Sequence, residues 1–315
     1  MNDVPRTAVI AVGGNALSPP GEHSTIADQF RHSRASLGPI VDLTLDGWRV
    51  VVVHGNGPQV GDELVRNEKA RSEVSPLPLG VLVAGTAGWI GYMLQQSLEN
   101  ALRRAGSNRD VVTVLTQVEV SATDPALQNP RKFIGHGLSA NRARELRAEG
   151  HAIRKDANGH LRRVVGSPVP LAIHELSTIR SLVERDTVVI ACGGGGIPVY
   201  RDATLGLEGV DAVIDKDLAA AVLARELGAE LFMILTDVDA VYTNWGTEQQ
   251  KMISSMTVAD ADRLAAEGAF GEGSMAPKVA AAAEYVRQTN GRAIITELSK
   301  GRAAVQGSGG TEIVP

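Results

Sequence analysis

Short runs of β-branched and aliphatic residues alternate with longer stretches of helical spacing along most of the chain. The runs Ala8 to Val12, Arg49 to His54, Val111 to Thr116, Thr187 to Cys192, Leu231 to Thr236 and Arg292 to Thr296 read as strands. Several are almost unbroken Val, Ile and Leu, the pattern of parallel strands covered on both faces. Helices are expected near 25–46, 58–72, 79–105, 174–184, 217–228, 257–267 and 276–289. In the stretch 217–228, Ala219, Val222, Leu223 and Leu227 follow helical spacing and Gly228 supplies a stop. Such alternation predicts an α/β fold with a mainly parallel sheet and helices on both sides.

Two stretches depart from that rhythm. From about Ser121 to Pro170 the chain is polar, with DPALQNPRKFIG and later KDANGHLRRVVGSPVP. The DANGH turn between Arg154 and Arg163 predicts a β-hairpin, so this stretch reads as a small folded insert projecting from the sheet edge. From Val74 to Leu98 there is no charge, and the length alone would permit a membrane span. Four glycines, two prolines, Thr86, Gln95 and Gln96 dilute it, which favours a helix buried in the core or at a subunit contact.

The composition narrows the partners. A chain of 315 residues accommodates one large α/β domain or two lobes around a cleft. Hydrophobic content of 43% and charged content of 21% are ordinary for a soluble globular protein. A net charge of −5 without blocks of like charge, and only 3% aromatics, argue against nucleic acid as a partner. The single cysteine, Cys192, forms no intramolecular disulfide and fits a reducing, cytoplasmic setting. The start MNDVPRTAVIAV is unlike a signal peptide.

The candidate chemistry lies in four glycine-rich segments: AVGGNAL, HGNGPQVG, ACGGGGIPV and GEGSMAPK. The first three follow predicted strands and the last opens a helix. Ligands of open α/β sheets bind beyond the carboxyl ends of the strands, where glycine lets backbone N–H groups approach an anion. The P-loop pattern and the GxGxxG dinucleotide fingerprint are both absent. So are HExxH, CxxC and GxSxG, which leaves no zinc site and no serine elbow in the sequence.

The opening loop has no cation of its own, so the charge must come from elsewhere. In AVIDKDL, Lys216 stands between Asp215 and Asp217 at a predicted helix start, and Lys278 stands in another first turn after Pro277. Helix electrostatics favours acids at such places, not lysines, so the two lysines read as ligands. Either aspartate alone also reads as a cap. In ILTDVDAVYTNWG, Asp237 and Asp239 follow a strand end, as carboxylates for magnesium through water or a ribose, or as Asx-turns.

Taken together these segments resemble carbamate kinases, within the amino acid kinase superfamily, along essentially the whole chain. The matching pieces include AVGGNAL, VVHGNGPQVGDEL, WIGYMLQQSL, TQVEV with DPALQNPRKFIG, RRVVGSPVP, VVIACGGGGIPV, GVDAVIDKDLAAAVLA, LFMILTDVDAVY and GSMAPKVAAA. The resemblance implies a three-layer αβα sandwich with a small protruding subdomain, ATP and magnesium, a homodimer, and reversible phosphorylation of carbamate, giving ATP from carbamoyl phosphate and ADP. It implies an acceptor-side lobe at 1–205, with the insert at about 121–170, and an ATP-binding lobe at 206–315.

Related acid kinases carry a lysine where this chain has Ala11, and the resemblance implies its replacement by Lys132 from the insert. Lys132, Lys216 and Lys278 are expected on the transferring phosphoryl, oriented by Asp217 and Asp215. Backbone groups of Gly13, Gly14, Asn15, Gly55, Asn56 and Gly57 would hold the small acceptor. Gly193, Gly194, Thr236, Asp237, Asp239, Tyr242, Ser274 and Met275 would hold the nucleotide, and no protein ligand is assigned to the metal. The family's Gln-Gly before IGY is Ala87–Gly88 here, its KPIGP is KFIGHG with Phe133 and His136, and Gly166 and Ala276 also depart. Most of these lie on the acceptor side, so the alternative is a sister kinase for another small carboxylate or phosphonate.

Overall fold

The computed structural model describes residues 6–14, 17, 25–156, 158–270 and 275–315. Its central sheet runs in the order Ser255–Thr257, Thr311–Val314, Arg292–Glu297, Leu231–Thr236, Thr7–Val12, Arg49–His54, Val188–Ile190, Val111–Thr113. The last six of these are mutually parallel. Thr311–Val314 turns back antiparallel to Arg292–Glu297, and Ser255–Thr257 runs with it.

The period-two alternation of the strands divides the core into two layers. Val9, Ala11, Val51, Val53, Phe232 and Ile234 pack with residues of helices Lys216–Leu227 and Met275–Thr289. Ala8, Ile10, Val12, Val50, Val52 and Met233 face the other way, onto helices Gly38–Leu45 and Leu79–Arg104. Helix, sheet and helix are therefore stacked, with helices on both sides of the sheet as the strand–helix alternation predicts and in the three-layer αβα form the resemblance implies.

The expected helix at 25–46 is two, Ile26–Ala35 and Gly38–Leu45. Pro39 lies in the first turn of the second, where its missing N–H costs nothing, whereas within one continuous helix it would break a bond. The expected strand at 111–116 stops at Thr113. The hydroxyl of Thr116 instead accepts from the Cys192 amide at 2.9 Å, and the chain leaves the central sheet. Cys192 itself turns into the left-handed region at φ 50°, so the strand before it ends at Ile190. Burial pushes its thiol well above the ordinary cysteine value.

A second sheet, in the order Gly206–Gly209, Ile197–Asp202, Gln117–Val120 and Pro170–Ile173, was not anticipated from the pattern. The insert carries a third sheet of Lys132–Leu138, Leu161–Val165 and Ile153–Lys155, with helix Ala140–Ala148. The expected hairpin is present: Ile153 faces Arg163 and Lys155 faces Leu161. Its turn is held by Asp156, whose Oδ1 accepts from the amides of Asn158 and His160. Among the described residues no helix is long and apolar enough to cross a membrane.

Candidate active site

The glycine loops meet where the central strands end. Gly13 donates its amide to the Leu235 carbonyl at 3.1 Å, and Gly55 donates to the Val12 carbonyl at 3.0 Å. Both bonds extend the sheet by one rung and turn the two loops together. A Cβ on Gly55 would stand 2.8 Å from the Gly14 amide nitrogen and 3.3 Å from Cδ of Lys216. The two loops and the Lys216 side chain are thus in mutual contact, and only glycine fits. Among the described residues the amides of Gly14, Asn56 and Gly57 meet no backbone acceptor, and Asn56 is the cap residue of helix Gly57–Lys69.

Lys216 is the first residue of helix Lys216–Leu227, and Asp215 caps it by accepting from the Asp217 amide at 2.9 Å. Lys278 lies in the first turn of helix Met275–Thr289. Asp217 joins them: one carboxylate oxygen accepts from Lys216 and the other from Lys278 at 3.1 Å. Its side chain is only 4% exposed, and those of both lysines 12%.

Lys132 arrives from the insert. It pairs with Val165 in the insert sheet, and the next residue, Gly166, bridges to Ala212 and accepts from the Val213 amide at 3.0 Å. That junction sets the Lys132 ammonium 3.0 Å from the Asp215 carboxylate. Burial works to raise the Asp215 carboxyl. The Lys132 ammonium, with Lys216 and the Asp217 amide, outweighs it and holds the group down at about 2. Burial pulls the Lys216 ammonium below its ordinary value and Lys278 adds to this, while Asp217 and Asp215 oppose it. Three cations against two carboxylates leave a site primed for an anion.

The other glycine turn lies beneath the Gly55–Asn56 loop. A Cβ on Gly193 would meet His54 Nε2 at 2.6 Å and Ala87 Cβ at 3.0 Å, and one on Gly194 would meet the Asn56 amide at 2.2 Å. The Asn56 side chain is turned inward, donating to the Thr86 hydroxyl at 2.9 Å. His54 Nδ1 lies 3.0 Å from the Gly55 carbonyl, and burial drives the ring down to about 4, so it stays neutral.

The remaining candidates cluster at the end of strand Leu231–Thr236. The Thr236 hydroxyl donates to Asp237, and the Tyr242 hydroxyl donates to Asp239 at 2.9 Å. The bond to Asp239 raises the Tyr242 phenol. Lys300 approaches Asp239 to 3.7 Å, and the exposed Trp245 stands edge-on to Tyr242 at 5.2 Å. Met275 opens the helix that carries Lys278. Asn15 and Ser274 lie outside the described residues.

The structure therefore joins Lys132, Lys216, Lys278, Asp215, Asp217, Gly14 and Gly55 into one centre, and packs Gly193 and Gly194 against Asn56 and His54. Sequence reasoning passed over His54, Thr86 and Lys300. Only the absence of charge around Thr86 and the helix it implies hinted at any of them.

The amino acid kinase family pattern matches residues 6–297. A carbamate kinase of Pyrococcus horikoshii is 42% identical over 99% of this chain and 100% of its own length. A carbamate kinase-like protein of Escherichia coli, YqeA, is 43% identical over 97% and 98%. The solved carbamate kinase of Giardia lamblia bound to AMP-PNP superposes with a TM-score of 0.92 at 36% identity, covering 98% of each chain. With the family pattern matching 6–297 and carbamate kinases matching over nearly the whole of both chains, the chain belongs to the amino acid kinase family, in its carbamate kinase branch.

Proposed function

We propose that this protein transfers the γ-phosphoryl group of ATP to carbamate, reversibly, so that carbamoyl phosphate and ADP return ATP. The observation that carries the reading is Asp217 gripping Lys216 and Lys278 where the Gly14 and Gly55 loops touch. A carbamate oxygen forms the new bond to phosphorus while the bond to the β,γ-bridging oxygen breaks, and ADP leaves with that oxygen. Carbamate is already an anion, so no proton has to be removed and no general base is required. Catalysis then rests on positioning and charge neutralisation.

The amides of Gly14, Asn56 and Gly57, at the start of a helix, hold the acceptor; those of Gly13 and Gly55 are spent on the sheet and only shape the loop. Lys216 serves from the acceptor side, Lys278 from the nucleotide side and Lys132 from the insert, with Asp217 and Asp215 fixing their directions. Gly193 and Gly194 form the floor under Asn56. Thr236, Asp237, Asp239, Tyr242 and Met275 line the nucleotide, so the part 206–315 binds ATP and 1–205 binds the acceptor. Magnesium neutralises phosphate charge in such reactions and is held by one or two carboxylates plus phosphate and water. Asp237, exposed at its strand end, fits that role. The enzyme acts in the cytoplasm as a homodimer, with the exposed Val81 and Tyr92 of the uncharged part of helix Leu79–Arg104 at the contact.

The test is ATP formation from carbamoyl phosphate and ADP with magnesium present, where sustained turnover is expected. A second reading, a kinase for another small carboxylate or phosphonate, is favoured by one observation. Ala87 stands beside Gly193, at the position where the resemblance to carbamate kinases implies a glutamine. Negligible turnover with carbamoyl phosphate would select it and overturn the first.

A further inference from the structure

Away from the lysine cluster, a cavity of about 630 Å³ separates helix Gly57–Lys69 from the insert. Leu64, Ile134, Leu138 and Leu146 make its apolar lining, and Arg163 enters it from the strand Leu161–Val165, directly across from Ile134. Alternation along that strand sends the neighbouring Arg162 to the opposite face. There it donates to the Gly135 carbonyl at 2.7 Å and covers the Phe133 ring.

The other cavity arginines are already engaged. Arg142 binds Glu68 at 3.0 Å and Glu145 at 2.8 Å, and Arg71 binds Glu149 at 2.8 Å. Arg163 differs: among the described residues no hydrogen bond or ion pair reaches its guanidinium. Glu68, Asp211 and Glu149 act on it only through space, and burial pulls it below the ordinary arginine value. A guanidinium cannot shed its proton to escape such a place, so it requires an anionic partner or water.

We propose that this cavity binds a small organic anion, a carboxylate carrying an apolar body, with Arg163 taking the carboxylate in its planar fork. The volume is that of an ordinary small-molecule site, and beside its apolar residues the lining carries Arg142 and Arg71 held by Glu68, Glu145 and Glu149, which leaves the Arg163 fork without a carboxylate partner. Inorganic phosphate offers no apolar body to cover Leu64, Ile134, Leu138 and Leu146, so it is not the preferred occupant. Both walls lead to the reaction centre, since the helix begins beside Asn56 and the insert strand begins at Lys132. The site is separate from the acceptor loops, and its assignment does not depend on carbamate being the substrate.

Titration calorimetry with benzoate tests it. Benzoate is expected to bind the wild-type protein, about ten-fold or more weakly in Arg163→Met, as for loss of a charged hydrogen-bonding pair, and with intermediate affinity in Arg163→Lys. Leu138→Trp, which fills the cavity and leaves the charge, should also abolish binding; circular dichroism verifies that each variant is folded. Benzamide and inorganic phosphate, lacking charge and apolar body respectively, should bind more weakly than benzoate. Benzoate affinity unchanged in Arg163→Met, absence of benzoate binding to the wild type, or phosphate binding as tightly as benzoate would each overturn the proposal.

Discussion

Asp217 accepts from two lysines carried on different helices, so each ammonium is oriented by a carboxylate rather than by the flexible lysine stem. Substituting Lys216→Met removes a preorganised charge at the edge of the Gly14 and Gly55 loops. It is expected to lower kcat/KM by about 10²- to 10³-fold, the scale of losing one such donor, with a smaller effect on thermal stability. Steady-state kinetics of ATP formation checks this. His54 gives a pH prediction. Its folded value of about 4 lies below the unfolded 6.5, so the unfolded chain binds the extra proton between those limits. Stability therefore rises with pH from 4 to 6.5 and is flat above, with a slope approaching about 1.4 kcal/mol per pH unit from this residue. Denaturant titrations of wild type and His54→Gln across that range should differ in this slope. Lys216 and Lys278 were legible because AVIDKDL and MAPK place lysines where a helix start disfavours them, whereas Lys132 came only with the resemblance. His54 and the spent amides of Gly13 and Gly55 were not, because their states depend on which strand lies alongside, and strand order is not local information.

The turn Gly193–Gly195 shows how backbone geometry supports the centre. Gly194 has φ 70°, and any Cβ there would collide with the Asn56 side chain. Gly194→Ala is expected to cost about 1–3 kcal/mol for the left-handed backbone, and more for the clash. Displacing Asn56 from Thr86 should also raise KM for the acceptor; thermal melts and kinetics on the same preparation separate the two losses. At this scale the buried strands and the DANGH hairpin could be read directly, since unbroken Val and Ile runs and an Asn-Gly turn have few other uses. The second sheet could not. Gln117–Val120 and Gly206–Gly209 are four residues each, too short for periodicity to declare itself, and they are strands because Ile197–Asp202 lies between them and Pro170–Ile173 flanks the first. The helix break before Gly38–Leu45 was readable in principle from Pro39, which signals a first turn as well as an interruption.

In the whole molecule, Leu231–Thr236 pairs directly with Thr7–Val12, so the parts 1–205 and 206–315 share one sheet. The insert has its own sheet and a smaller core, with Ile134 and Val165 packing onto Val60, Leu64 and Val213 of the body. Three connections hold Lys132 in place: the Lys132–Asp215 pair, the Gly166–Val213 bond, and the close passage of Gly61 against Gly135. Native-state hydrogen exchange should therefore find the amides of Lys132–Leu138 and Leu161–Val165 opening at lower free energy than those of Val51–Val53 in the central sheet. The ion pair carries a pH signature. Asp215 is depressed to about 2 from 3.8, so its contribution is fully present above 3.8 and is lost as pH falls through about 2. Lys132→Met should lower protection in the insert at neutral pH while leaving Val51–Val53 unchanged, and should cut turnover because the cation itself is gone. Equal loss of protection in both regions would mean that insert and sheet unfold as one unit, and that Lys132 is held by the global fold and not by its own strap to Asp215.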